Sequence, residues 1–179
     1  MIYFFLAEGF EEIEALCPID LLRRAGLEVT TVGVGSKEIC GSHGIKVIAD
    51  ILDTEYNDIS PDLIFLPGGM PGTLNLKASK TVQRAIKEAT ECDAYIAAIC
   101  AAPMILGELG LLRGKEAICY PGFENELCGA TVSDKKTVKD GKILTAKGMG
   151  AALDFGLMIV EIFKGKDCAD KLRAAVIAD

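Results

Sequence analysis

The residue best placed to do chemistry is Cys100, at the junction of an apolar run, Ala94 to Ile99, with the segment Ala101 to Leu109. A short apolar run bounded by charge marks a strand buried on both faces. The segment after it reads as a helix, with Pro103 tolerated because it lies in the first turn. Small residues surround the junction: Ala98 and Ala102 two positions to either side, Ala101 beside it. A nucleophile elbow has this form, a sharp strand-to-helix turn with a reactive side chain at its apex. Unpaired N–H groups at a helix start stabilise a thiolate, so Cys100 is expected to titrate well below the ~8.5 of a free cysteine. The alternative is a buried sulfur acting as a small apolar filler.

A carboxyl and a glycine turn are candidates to act with it. Phe10, Ile13, Cys17 and Leu21 form an apolar stripe at helical spacing; Glu14 falls inside it, while Glu11 and Glu12 point elsewhere. An inward carboxyl is expensive when ionised, so Glu14 should be neutral or paired. The alternative is a helix-edge carboxylate in water. Pro67-Gly68-Gly69-Met70-Pro71-Gly72 follows the apolar strand Asp62 to Leu66. Glycines at the carboxyl end of a parallel strand let backbone N–H groups approach a ligand or an oxyanion; the alternative is a plain tight turn. The single histidine, His43, lies in the turn Gly41-Ser42-His43-Gly44 and reads as a solvated loop residue. The seven cysteines contain no C-x-x-C pair, so metal-type spacing is absent. Reduced thiols in a cytosol fit best, and no metal or cofactor is expected.

The elements that must position these groups alternate. Strands are expected at Ile2 to Leu6, Leu27 to Val34, Asp62 to Leu66, Ala94 to Ile99 and Glu116 to Cys119. Hairpins are expected around Gly41-Ser42-His43-Gly44 and around Asp140-Gly141. Helices are expected from Phe10 to Gly26, from Ser79 (as cap) to Cys92, from Gly150 to Phe163 and from Asp167 to Val176. Pro18 costs the first of these a hydrogen bond and should bend it. Alternation of this kind argues for a parallel sheet sandwiched between helices, with the site beyond the carboxyl ends of the strands. Cys100, the Gly68-Gly69 turn and the loop-helix carrying Glu14 converge there.

The totals exclude several classes. A chain of 179 residues is read as one domain, 1–179, able to bury ~70% of its unfolded surface. A formal net charge of −7 disfavours nucleic acid and anionic membrane as partners. The opening Met1-Ile2-Tyr3-Phe4-Phe5-Leu6 lacks a basic region and reads as a strand, not a signal peptide. The longest apolar stretch, Gly150 to Phe163, contains Asp154 and Glu161, so no bilayer span is expected.

Several blocks resemble the ThiJ/PfpI superfamily, in its branch of deglycase and YajL-type proteins. They are Glu11-Glu12-Ile13-Glu14 with Pro18 to Gly26, Leu66-Pro67-Gly68-Gly69, Ala98-Ile99-Cys100-Ala101-Ala102-Pro103, Tyr120-Pro121-Gly122, and Lys139 to Thr145. The resemblance implies a flavodoxin-like sandwich and a homodimer with the first helix in or near the interface. It implies that Cys100 is the nucleophile and Glu14 a protonated carboxyl hydrogen-bonded to it. Gly69 and Ala101, with Gly68 in the same turn, would form the anion pocket, and Arg24 and Pro103 would lie near the site. The implied activity is a cytoplasmic glyoxalase or deglycase acting on methylglyoxal or a glycated adduct. Alternatives are a thiol redox sensor or stress chaperone, and the thiazole or thiamine biosynthesis attached to the family label, for which no phosphate-binding P-loop is visible. Acyl-transfer readings are weak, because Ala101 follows the nucleophile and no histidine follows His43.

Overall fold

The computed structural model describes residues 1–178. Its strands are β1 (Ile2–Leu6), β2 (Val29–Gly33), β3 (Glu38–Cys40), β4 (Lys46–Ile48), β5 (Ile51–Leu52), β6 (Leu63–Leu66), β7 (Tyr95–Ile99), β8 (Glu116–Ala117), β9 (Thr131–Val132), β10 (Thr137–Asp140) and β11 (Ile143–Ala146). The helices are α1 (Glu12–Arg24), α2 (Gly72–Ala78), α3 (Lys80–Glu91), α4 (Pro103–Glu108), α5 (Ala152–Lys164) and α6 (Lys166–Ala175). Seven strands form the central sheet in the order β10-β11-β7-β6-β1-β2-β5. Every pairing is parallel except the β10–β11 hairpin at one edge, which turns at Asp140-Gly141.

The alternation of side chains along the strands builds two apolar layers. Phe5, Ile64, Ile96 and Ala98 face α2, α3 and α4 through Leu76, Val82, Ile86 and Ile105. Phe4, Phe65, Ala97 and Ile99 face α1, α5 and α6 through Ile19, Leu22, Phe155 and Ala169. In that second layer Phe4 stacks on Phe65 with ring centroids 4.2 Å apart, and Phe65 tilts against Phe155 at 5.4 Å. This is the flavodoxin-like arrangement, helices on both faces of a mainly parallel sheet.

The first helix departs from its expected pattern. It begins at Glu12, not Phe10, and its inward residues include Ala15, Pro18, Ile19 and Leu22, while Ile13 is 47% exposed. Phe10 precedes the helix and therefore cannot set the phase of its apolar face. Glu11 and Glu12, expected to point elsewhere, are both buried. The helix runs unbroken through Pro18. Ser79 caps α3 as expected, its hydroxyl accepting from Val82 N–H at 3.3 Å. The short α2 was not anticipated from the pattern Gly72 to Ala78, which carries no helical apolar stripe of its own.

Candidate active site

Register brings the site together. Leu66 lies level with Ala98 across the β6–β7 pair, so two further residues on each strand set Gly68 beside Cys100. On the other flank the Cys100 N–H donates to Ala146 O at 2.9 Å, which ties the end of β7 to the end of β11. The Cys100 carbonyl accepts from Tyr120 N–H at 2.8 Å, and Ala102 N–H closes the turn onto Ile99 O at 3.1 Å. These bonds hold Cys100 at φ +64°, a conformation that costs a non-glycine residue ~1–3 kcal/mol. The half-buried sulfur receives hydrogen bonds from the backbone N–H groups of Gly69 and Ala101. The sharp strand-to-helix turn expected at Cys100 is therefore present, with α4 starting at the buried Pro103.

Glu14 comes from the first turn of α1 and is 1% exposed. Its Oε2 accepts from Gly68 N–H at 3.0 Å, its carboxyl accepts from Met149 N–H, and it is hydrogen-bonded to the Cys100 thiol. Gly68 thus serves the carboxyl through its N–H, while Gly69 serves the sulfur. Gly68 has to be glycine for reasons of space: a Cβ there would lie 2.6 Å from both Cys100 Cβ and Glu14 Oε2. Gly69 takes φ +89°, which aims its N–H at the sulfur.

Carboxyl and thiol answer to each other. Burial lifts Glu14 to about 7, helped by the charge of Glu11 and opposed by the Cys100 thiol and the N–H groups of Gly68 and Met149. Burial and then the charge and hydrogen bond of Glu14 push Cys100 up to about 12, against the pull of the Gly69 and Ala101 N–H groups. This departs from the expectation of a thiol titrating below the ordinary range. Sequence spacing registers the donors at the turn but not the desolvation of the sulfur or the carboxylate facing it. The two groups titrate as a coupled pair, and above about pH 7 they hold one proton between them.

Three participants, Glu11, Tyr120 and Met149, carry parts that the sequence did not assign to them. Glu11 caps α1, its Oε2 accepting from Glu14 N–H at 2.7 Å, and its own N–H donates to Gly68 O at 2.9 Å. The spacing Glu11-x-x-Glu14 at a helix start could have disclosed it as a cap. Tyr120 and Met149 reach the site from distant loops; Tyr120 stands in the block Tyr120-Pro121-Gly122 that carried the resemblance, whereas no local pattern points to Met149. Arg24, expected near the site, sits on the exposed last turn of α1, paired with Asp20 Oδ2 at 2.6 Å. Ten residues of helix separate it from Glu14, about 15 Å along the axis, so within one chain it does not join the pair.

Beside the site the turn 41–45 closes over the start of α1 by clasping Glu12, which is 2% exposed. His43 N–H donates to Glu12 Oε1 at 2.8 Å and the His43 ring bonds Oε2 at 2.9 Å. Burial alone would raise Glu12; the bonds from His43 and Ile45 outweigh it and hold the carboxyl below its ordinary range. The same contact raises His43. His43 is therefore solvent-exposed, as expected, but tethered rather than free.

The chain matches the DJ-1/PfpI family over residues 1–162. It is similar to Protein DJ-1 homolog B of Arabidopsis thaliana, 39% identical over 96% of this chain, though it spans only 40% of that longer protein. It is 28% identical to the glutathione-independent glyoxalase DJR-1.2 of Caenorhabditis elegans, over 92% of this chain and 89% of the relative. The solved structure of oxidized Toxoplasma gondii DJ-1 superposes with a TM-score of 0.94 at 33% identity, covering 98% of this chain and 97% of that one. A match across nine-tenths of the sequence, on a sheet whose strand ends carry the elbow and meet the inward carboxyl of α1, places this chain in the DJ-1/PfpI family.

Proposed function

We propose that the chain is a cysteine-dependent glyoxalase or deglycase, acting on methylglyoxal or a glycated adduct. The observation that carries the reading is the sulfur of Cys100, set between two N–H donors and a carboxyl that titrates near 7. A general base is most effective with its pKa close to the working pH. Glu14 takes the thiol proton as sulfur adds to the aldehyde carbon, and the new oxyanion receives a proton in turn, giving a hemithioacetal. The carboxylate then removes the proton on that carbon and returns one to the adjacent carbon, converting the hemithioacetal to the thioester of lactate. Water cleaves the thioester, releasing lactate and restoring the thiol. Gly69 and Ala101 N–H groups steady negative charge on sulfur before attack. The kinship with a glyoxalase of Caenorhabditis elegans supports the same chemistry. A homodimer working in the cytoplasm on a small aldehyde completes the proposal.

The test is lactate formation from methylglyoxal by the wild type, Cys100→Ser and Glu14→Ala. Turnover is expected in the wild type alone, with loss of at least ~100-fold in each variant. A redox sensor is the second reading, favoured by the oxidized state of the Toxoplasma gondii relative. It would show no lactate, together with one-to-one consumption of peroxide at Cys100.

A further inference from the structure

A groove of about 580 Å³ is lined by Tyr120, Gly148 and Met149, residues that also touch the reacting pair. Met149, on one wall, bonds the Glu14 carboxyl through its N–H; Tyr120, on the other, bonds the Cys100 carbonyl. Gly148 lies between them, with its Cβ position 3.3 Å from the Tyr120 ring and 3.8 Å from Glu14 Oε1. Tyr120 and Met149 are 51% and 54% exposed and give the groove apolar surface. At the rim stand two lysines, Lys136 and Lys147.

Those lysines face each other across the end of the β10–β11 hairpin: Thr137 pairs with Ala146, and Lys147 N–H donates to Lys136 O at 2.9 Å. Like charges directly opposite on an antiparallel pair are destabilising. Lys136 reaches Asp154 only at 3.9 Å, and among the described residues Lys147 has no ion-pair partner. In a chain of net charge −7, Lys147, one residue beyond the strand that binds Cys100, and Lys136, whose Asp154 partner is held more closely by Arg173, make a local anion trap.

We propose that this groove is the substrate subsite of Cys100 and Glu14, and that Lys136 and Lys147 hold a carboxylate carried by the substrate. The preferred substrate is then larger than a three-carbon aldehyde: an aldehyde or adduct with an apolar spacer resting on Tyr120 and Met149 and an anionic end at the lysines. The inference rests on the reading of Cys100 and Glu14 as the reacting groups.

Two measurements on the full chain separate the two ideas. The first compares alkylation of Cys100 by N-iodoacetyl-β-alanine, which carries a carboxylate tail, and by its uncharged N-propyl analogue. In each case sulfur bonds to the methylene carbon, iodide leaves and the thiol proton passes to Glu14. The rate ratio, anionic to neutral, is expected to exceed that of free cysteine by about tenfold at low salt and to fall toward it in about 0.5 M salt. The double variant Lys136→Gln/Lys147→Gln should lose that preference, and Lys136→Arg/Lys147→Arg should keep it. A ratio equal to that of free cysteine, or one indifferent to the lysines, overturns the subsite. The second measurement titrates N-acetyl-β-alanine, which has no reactive group, and follows the backbone amides of Gly148 and Met149 by NMR. Shifts that saturate in the wild type and vanish in the Gln double variant support the subsite even if Cys100 never alkylates. That outcome would sink the catalytic reading alone; absence of shifts sinks the subsite alone.

Discussion

A carboxyl that is 1% exposed and shares a proton with a sulfur should report on itself in the stability of the protein. The native pKa of Glu14 is raised from 4.5 to about 7, so between those values the folded state binds more protons than the unfolded one. Stability from this group is accordingly present below about pH 4.5 and is lost as pH rises through about 7. Urea midpoints measured across that window should fall with pH in the wild type, and the fall should be shallower in Glu14→Gln. Glu11 offers a finer test, because its charge helps raise Glu14 while its oxygen caps α1. Glu11→Gln keeps an acceptor for the cap and removes the charge, so the Glu14 midpoint should move down, readable by NMR of the Glu14 carboxyl; Glu11→Asp should restore it. The meeting of Cys100 and Glu14 was partly legible, as a thiol at a strand-to-helix turn and a carboxyl expected to face inward. The stripe through Phe10 and Ile13 that pointed to Glu14 is not, however, the buried face of α1. The height of their pKa values was not legible, since desolvation depends on Gly68, Tyr120 and Met149 arriving from far along the chain.

At the scale of elements, the site depends on strand ends meeting without side chains in the way. Gly68→Ala would place a methyl group 2.6 Å from both Cys100 Cβ and Glu14 Oε2. Cys100 Cβ is fixed to the backbone, Ile99 O stands 3.0 Å away, and Glu14 Oε2 is held by the Gly68 N–H, so the β6 turn must move. Loss of Cys100 reactivity by at least ~10-fold is expected, with far-UV circular dichroism little changed. The turn 41–45 should respond to pH through Glu12 and His43. His43 is raised in the folded state, so its contribution is full below its ordinary ~6.5 and is lost as pH rises through the folded value. Glu12 is lowered, so its contribution is present above its ordinary 4.5 and is lost as pH falls through the folded value. Hydrogen exchange at the His43 and Ile45 amides should therefore be slowest between those limits and faster throughout in His43→Ala. Short apolar runs disclosed β1, β6 and β7, and Ser79 disclosed the start of α3. The inward turn of Glu12 stayed hidden because its partners lie some thirty residues away, in the 41–45 turn, and a buried carboxylate looks like a surface one until they are known.

Across the whole molecule the sheet is a rigid platform whose two apolar layers hold the strand ends in register. Phe65 bridges β1 and α5 by stacking on Phe4 and tilting against Phe155. Phe65→Ala should cost about 3–5 kcal/mol in urea unfolding, through lost transfer energy and the cavity left behind. Strand–helix alternation was enough to anticipate a parallel sandwich, because buried parallel strands and amphipathic helices leave few other arrangements. It could not foresee that the Lys136 and Lys147 ends of the last hairpin would border the site, for that follows from β11 pairing with β7. The account as a whole rests on a shared proton making Cys100 nucleophilic at neutral pH. The direct measurement is the rate of Cys100 alkylation by iodoacetamide against pH, read by mass spectrometry of the Cys100 peptide. A rise with a midpoint near 7, displaced toward alkaline pH in Glu14→Ala, is the expected result. Labelling that begins only above the ~8.5 of a free cysteine, and that is indifferent to Glu14, would contradict it.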